Sequence, residues 1–113
     1  MAVHIDWPAP GEMKLELLIS ARELTLVQRD DRYQGGIRLS IVQLDKNKKA
    51  LDIVTDSIGL NLKKESLPEY MQTGMSMSRT VAAKPGTVEV RAIVVDRASG
   101  VYGSVIVPMA DVK

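Results

Sequence analysis

Apolar residues recur at every second position along most of this chain, and that period constrains the fold more than any other feature. The clearest series are Leu15/Leu17/Ile19, Ile37/Leu39/Ile41, Val88/Val90/Ala92/Val94 and Val105/Val107. Successive side chains of a β-strand point to opposite faces, so this alternation is typical of strands that bury one face. The chain is therefore expected to consist mostly of antiparallel strands.

Turn-forming residues separate these series at short intervals. Asp45 to Lys49 and Asp96 to Gly100 have the composition of hairpin turns, and Lys84-Pro85-Gly86-Thr87 that of a type II turn, in which glycine supplies the positive φ. About seven short strands with no βαβ pattern predict an all-β fold, a two-sheet antiparallel β-sandwich of the immunoglobulin-like type.

One segment, near residues 66–73, has helical character. Ser66 is a candidate N-cap, Pro68 suits the first turn, Glu69 favours a helix start, and Gly74 is a candidate C-terminal stop. The sequence predicts a single short helix of two turns at most.

The length of 113 residues fits one domain, predicted to cover residues 1–113, with residues 1–12 as a leading strand and a Pro/Gly connection. We expect it to be a piece excised from a larger protein. Its predicted core consists of the apolar residues with consistent strand parity: Leu15, Leu17, Ile19, Leu39, Ile41, Leu60, Leu62, Val88, Val90, Val94, Val105 and Val107. Along residues 50–62 the apolar parity changes, which predicts a bulge near Asp56-Ser57.

Composition excludes several chemistries. There is no cysteine, the one histidine is His4, and 15 basic residues nearly balance 14 acidic ones. These counts predict no catalytic residue, no metal site and no cofactor. The charge balance argues against nucleic-acid binding, and the absence of a long apolar run argues against membrane insertion.

Two charged groups have a functional interpretation beside a structural one. Asp45-Lys46-Asn47-Lys48-Lys49 begins like a calcium loop, but Lys49 stands where an oxygen ligand is needed, which favours a solvated hairpin tip. Lysines 46, 48, 49, 63 and 64 would attract an anion if they gathered at one end of the sandwich.

Two alternative functions depend on side chains that the fold would have to bring together. A small carboxylate-dependent hydrolase could draw on Asp31, Asp56 and Asp96, if two of these carboxyls lie about 5–10 Å apart in a pocket. A carbohydrate-binding module needs exposed aromatic rings, and the chain offers Trp7, Tyr33, Tyr70 and Tyr102.

The segment from Leu60 to Met109 combines several recognisable pieces: Leu60-Asn61-Leu62, a short helix with Tyr70, the turn Pro85-Gly86, Arg91-Ala92-Ile93-Val94-Val95-Asp96, and Ser99-Gly100 before Gly103-Ser104. In this order they resemble the C-terminal β-sandwich domain of the acidobacterial VWFA-related (von Willebrand factor A-related) exported proteins. The resemblance implies structural roles for Pro85, Gly86, Asp96, Gly100 and Gly103, and no functional residue.

The resemblance also implies a function and a location. It suggests a non-enzymatic accessory domain that acts through protein-protein or interdomain contacts. Its partner would be a von Willebrand A-type domain of the parent chain or another protein. The implied location is extracytoplasmic, either periplasmic or secreted, although residues 1–10 do not have the pattern of a signal peptide.

Overall fold

The computed structural model describes residues 2–20, 22, 24–100 and 102–108, and for Tyr102 the backbone alone. This part of the chain forms eight strands and one α-helix. The elements are β1 (Ala2–Ala9), β2 (Glu12–Ile19), β3 (Val27–Arg29), β4 (Arg32–Leu44), β5 (Ala50–Lys63), α1 (Leu67–Thr73), β6 (Met75–Ala82), β7 (Glu89–Asp96) and β8 (Tyr102–Pro108).

The strands form two antiparallel sheets, and the chain is an all-β sandwich as the alternation predicts. The smaller sheet has the order β1-β2-β6. In the larger sheet β4 is central, with β5 along one side, β3 and then β7 along the other, and β8 beyond β7. The edges of the larger sheet are therefore β5 on one side and β8 with the short β3 on the other.

The core lies between the inner faces of the two sheets. Its buried apolar residues, which form one cluster, are Ile5, Met13, Leu15, Leu17, Ile19, Ile37, Leu39, Ile41, Val81, Val90, Ala92 and Val94. These side chains alternate along β2, β4 and β7, so the period-two pattern identified the buried faces correctly there. Burial of this apolar surface is the main favourable contribution to folding.

Five residues of the predicted core are less buried than expected. One of them is exposed, and the other four are half-buried. Val88 is 46% exposed. It lies in the connection before β7, which begins at Glu89, so the alternation of side chains along β7 does not determine where it points. The other four that fall short of full burial are Leu60, Leu62, Val105 and Val107, which are half-buried. They lie on the edge strands β5 and β8, where one side of each side chain faces solvent.

The predicted helix is present. A 3₁₀ turn over Lys64–Ser66 leads into α1, with Pro68 in its first turn. Gly74 ends the helix at φ 83°, and its N–H donates to the Tyr70 carbonyl at 2.9 Å. Ser66 occupies the N-cap position but makes no capping hydrogen bond through its side chain, so that detail of the prediction is wrong.

The predicted bulge near Asp56-Ser57 is also wrong. The pairing of β5 with β4 is continuous from Lys63 to Asp52, and its irregularity lies between Gln43 and Leu44, where Leu51 is skipped. Asp56 therefore takes an inward position opposite Leu39, and Ile53 takes an outward one. The sequence was misread here because a charged residue stands where the regular alternation has an apolar one.

Both predicted glycine turns are confirmed. Gly86 has φ 92°, and the Thr87 N–H donates to the Lys84 carbonyl at 3.2 Å, as a type II turn requires. Gly100 has φ 76°, and its N–H donates to the Asp96 carbonyl at 2.8 Å. These turns connect β6 to β7 and β7 to β8.

Candidate interaction face

Two buried polar side chains hold the ends of the larger sheet. Gln43 is 1% exposed, and its Nε2 donates to the Ala82 carbonyl at 2.8 Å. Its Oε1 accepts from the Lys84 N–H at 2.9 Å and from the Thr87 hydroxyl at 3.0 Å. This amide therefore ties the β6–β7 connection to β4, which is a structural role.

Asp96 has a similar role at the other end of β7. It is 2% exposed, and its Oδ2 accepts from the Ser99 hydroxyl at 2.6 Å and the Ser99 N–H at 3.2 Å. Burial raises the pKa of this carboxyl, but hydrogen bonds from Ser99 and Thr25 outweigh that effect and leave the pKa below its ordinary value. Asp96 is therefore an ionised turn anchor.

The carboxylates of the hydrolase alternative are engaged separately. Asp56 and Asp96 lie on opposite sides of β4, two interstrand spacings apart and offset by two residues along the strands, or about 12 Å apart at the backbone. Asp56 Oδ2 accepts from Arg79 Nε at 3.1 Å, which links the two sheets. Asp31 lies in the turn before β4, roughly 20 Å along that strand from Asp96. The structure does not assemble these carboxylates into a catalytic pair.

The lysines do not gather at one end, contrary to the arrangement considered from the sequence. Lys46, Lys48 and Lys49 lie in the β4–β5 hairpin, whereas Lys63 and Lys64 follow the far end of the 14-residue strand β5. The hairpin itself is a closed turn: Asp45 Oδ1 accepts from the N–H groups of Asn47 at 2.8 Å and Lys49 at 2.9 Å. These bonds hold the pKa of Asp45 below its ordinary value.

Trp7 and Tyr33 do not form a common platform. Trp7 is 41% exposed and lies in the smaller sheet beside the irregular pairing of β1 with β2. Tyr33 lies in β4 of the larger sheet, and Tyr70 lies in α1. The side chain of Tyr102 lies outside the described residues. Trp7 and Tyr33 are thus on different sheets, and stacking of a sugar on both is not supported.

An open depression of about 300 Å³ lies where the smaller sheet meets the C-terminal end of α1. Its lining includes Leu18, Ser20, Met71 and Gly74, and none of its lining residues is ionisable. Among the described residues, no three His, Asp or Glu side chains come together as metal ligands. No helix in the described ranges is long and apolar enough to cross a membrane.

The most unusual surface is the outer face of the larger sheet. Residues directly opposite one another in adjacent strands point to the same face. Ile53, Val42, Arg91 and Ile106 are opposite one another across β5, β4, β7 and β8. Ile53 is 60% exposed and Ile106 is 51% exposed. Together with Val42 they form an apolar end of this face.

The opposite end of the same face is cationic. Arg29, Arg32 and Lys63 lie directly opposite one another across β3, β4 and β5, and Arg38 follows farther along β4. None of these four has a carboxylate oxygen within ion-pairing distance among the described residues. Like charges in directly opposite positions destabilise a sheet, so folding does not explain this arrangement.

Glu89 is the one carboxylate that the described strands place on this face. Its Oε1 accepts from Lys48 Nζ at 2.8 Å and its Oε2 from Arg91 Nε at 2.9 Å. These two cations hold the pKa of Glu89 below its ordinary value. Because Glu89 is already shared by two cations at the apolar end, it does not balance the arginines at the other end.

We define the cationic face as the outward residues of the larger sheet from Arg29, Arg32 and Lys63 to Ile53 and Ile106. Sequence reasoning missed it because its residues are dispersed along the chain and the whole chain is nearly neutral. A usable signal was the outward series Arg32, Gln34, Gly36, Arg38 along β4, which holds no carboxylate. No protein-family model, curated protein or solved structure matches this chain.

Proposed function

We propose that this chain is a non-enzymatic interaction module that binds another protein, or another domain of a longer chain, through the cationic face. The observation that carries the proposal is the combination, on one sheet surface, of exposed apolar residues with cations that have no carboxylate partner among the described residues. Ile53 and Ile106 expose more than half of their surface at one end of it. Apolar residues beside arginines are the composition typical of protein interfaces.

The size of the face supports this proposal. Four strands about 4.8 Å apart span roughly 19 Å, and the eleven residues from Arg32 to Val42 span about 34 Å along β4. Their product is on the order of 650 Å², close to the ~800 Å² per partner that a specific interface buries. A partner that covers the whole face would therefore form an interface of ordinary size.

We further propose that the sandwich belongs to the immunoglobulin-like class. The smaller sheet β1-β2-β6 faces β5-β4-β7-β8, the order expected when immunoglobulin strands A, B and E face C′, C, F and G. The short β3 has no counterpart in that scheme. This architecture is shared by domains of many functions, so the interaction role rests on the cationic face and not on the fold.

The cellular setting is also a proposal, and it depends on the sequence resemblance alone. We propose a longer exported parent protein, with a von Willebrand A-type neighbour as one partner of the face. We also propose that the chain is not an enzyme. In the described part of the chain, the inward carboxylates Asp56 and Asp96 are each engaged in a structural contact.

Photo-cross-linking tests the interaction role. A photoreactive residue at Ser104, an exposed position beside Ile106, is introduced into the natural protein in its native cells. The matched control has the same residue at Ser78, an exposed serine on the outer face of the smaller sheet. We expect a discrete protein adduct or an interdomain adduct from Ser104 only, and we expect Ile106→Lys to abolish it.

Equal adducts from Ser104 and Ser78 would overturn the proposed face. So would an adduct at Ser104 that persists unchanged when Ile106 is replaced, because the apolar end would then not take part in binding.

A further inference from the structure

We propose that the partner bound by the cationic face is acidic, an extended protein segment or surface rich in Asp and Glu, whose carboxylates bind Arg29, Arg32, Arg38 and Lys63. This inference rests on the proposed function, in which the same face contacts a protein. It names the chemistry of the partner, which the interaction role alone leaves open.

The first support is the charge of the face. Six cationic side chains lie on it, Arg29, Arg32, Arg38, Lys63 and Arg91 at strand positions and Arg97 over Gly36, against the single carboxylate of Glu89. The chain as a whole has a formal net charge of only +1. Positive charge is therefore concentrated on the described outer face of the larger sheet, and the rest of the molecule carries a compensating excess of negative charge. Complementary charge is what steers and orients a protein partner on such a surface.

The second support is Gly59, which folding does not require. It lies within the regular pairing of β5 with β4, opposite Gly36, and its φ is not positive. A Cβ added at Gly59 would meet nothing within 4 Å. Glycine weakens a strand interior, and where neither a bulge nor a positive φ explains it, glycine often marks a place where another backbone approaches closely.

The third support is the position of this glycine pair between the cations. Gly36 and Gly59 lie between the Arg38–Ser57 pair and the Gln34–Asn61 pair, and the Arg32–Lys63 pair follows. A Cβ at Gly36 would meet Cδ of Arg97 at 3.3 Å, so the Arg97 side chain lies over Gly36, and the open surface between Arg38 and Arg32, roughly 20 Å apart along β4, is at Gly59. An extended acidic segment can approach the backbone at Gly59 with carboxylates at both cationic positions.

An acidic protein is favoured over a nucleic acid by the composition of the face. Single-stranded nucleic acids are held by aromatic stacking combined with cations. The register places one aromatic position, Tyr102 opposite Val95, on this face, whereas Ile53, Val42 and Ile106 occupy the apolar end, so the face does not offer the succession of rings on which a single strand stacks. Aliphatic contacts beside carboxylate-binding arginines fit a polypeptide.

The test is an NMR titration of the full chain with a short oligo-glutamate peptide at low salt. We expect amide shifts confined to the outer positions of β4 and β5 near Gly59. The variant Arg38→Glu/Lys63→Glu should bind about tenfold more weakly, because two attractive contacts become repulsive. The control Lys46→Glu/Lys49→Glu makes the same change in net charge at the exposed β4–β5 hairpin and should bind within about twofold of the natural chain.

Three results would overturn the acidic partner: no shifts, equal loss in both double variants, or tighter binding of an oligothymidylate of the same charge. Equal loss would show that net charge alone governs binding, and the third result would identify a nucleic-acid surface. None of these would remove a cross-link at Ser104, so a failure of this inference is distinguishable from a failure of the interaction role. Thermal unfolding of both variants checks that each is folded.

Discussion

The outer faces of the two sheets differ in how their charged residues are paired. On the smaller sheet, Asp6 lies opposite Lys14 and His4 lies opposite Glu16. His4 Nε2 is 3.0 Å from Asp6 Oδ1, and Lys14 Nζ is 3.6 Å from Glu16 Oε1. On the larger sheet, cations lie opposite cations. The charged residues on the smaller sheet are thus matched in sign, although Leu18 on the same face is 43% exposed.

This difference separates residues that stabilise the fold from residues that folding does not need. An exposed face can be built from alternating charges at no cost in stability, as β1 and β2 are. The cationic face instead combines opposed like charges, exposed isoleucines and a strand glycine. These features are expected to lower the free energy of unfolding, and binding is the simplest reason for a chain to keep them.

The largest expected difference in stability is between a substitution on the inner face of the larger sheet and one on its outer face. Ile41 is 2% exposed and Ile53 is 60% exposed, and they lie on neighbouring strands. Ile41→Ala should lower the free energy of unfolding by about 2–4 kcal/mol, because it leaves a cavity in the core. Ile53→Ala should lower it by less than about 1 kcal/mol. Urea unfolding measures both, and similar losses would mean that Ile53 is part of the fold.

The next effect compares two glycines. Gly86→Val should lower the free energy of unfolding by roughly 1–3 kcal/mol, because valine is strained at φ 92°. Gly59→Val should raise it by about 0.5–1 kcal/mol, because valine favours strands and meets no neighbour there. Thermal unfolding of the two variants gives the signs. Destabilisation by Gly59→Val would show that this glycine serves the fold.

The smallest effect on stability compares two exposed cations. Arg32→Gln should raise the free energy of unfolding by a few tenths of a kcal/mol, because Arg32 lies between Arg29 and Lys63. Lys14→Gln should leave it unchanged or lower it by a similar amount, because the contact with Glu16 is lost. Added salt should shrink both differences. Stabilisation by Lys14→Gln would contradict the contrast between the faces.

A pH titration of Glu89 tests the apolar end of the cationic face. Lys48 and Arg91 lower the pKa of this carboxyl from its ordinary value of 4.5 in the folded chain. The stability that the lowered pKa provides is therefore present above that ordinary value and is lost as the pH falls through the lowered value. NMR of the side-chain carboxyl carbon should give a midpoint below 4.5 in the natural chain, and closer to that value in Lys48→Met.

Much of the sandwich could be predicted from the sequence, because alternation and turn chemistry are local. The series Leu15/Leu17/Ile19 and the turn at Gly86 behave as their residues indicate. Gln43 continues the inward parity of Ile37, Leu39 and Ile41 and is buried there, although it is polar. Its amide is acceptable there because the β6–β7 connection satisfies its hydrogen bonds, and no local pattern contains that partner.

The cationic face could not be predicted, because it depends on which strands become neighbours. Arg32 and Lys63 are far apart in the sequence and become opposite only when β5 pairs with β4 in one register. A bulge at Asp56-Ser57, as the sequence suggested, would have reversed the outward side of one half of β5. The near-neutral composition also gives no sign that positive charge is concentrated on the outer face of one sheet.

The free energy of unfolding of a triple variant, Arg32→Thr/Ile53→Thr/Gly59→Thr, tests most directly the claim that the cationic face serves binding and not folding. All three positions face outward, and threonine is favourable in strands. We predict a value equal to or higher than that of the natural chain by about 1 kcal/mol in urea unfolding. A loss of more than about 1 kcal/mol would contradict the account, because it would show that these residues hold the sandwich together.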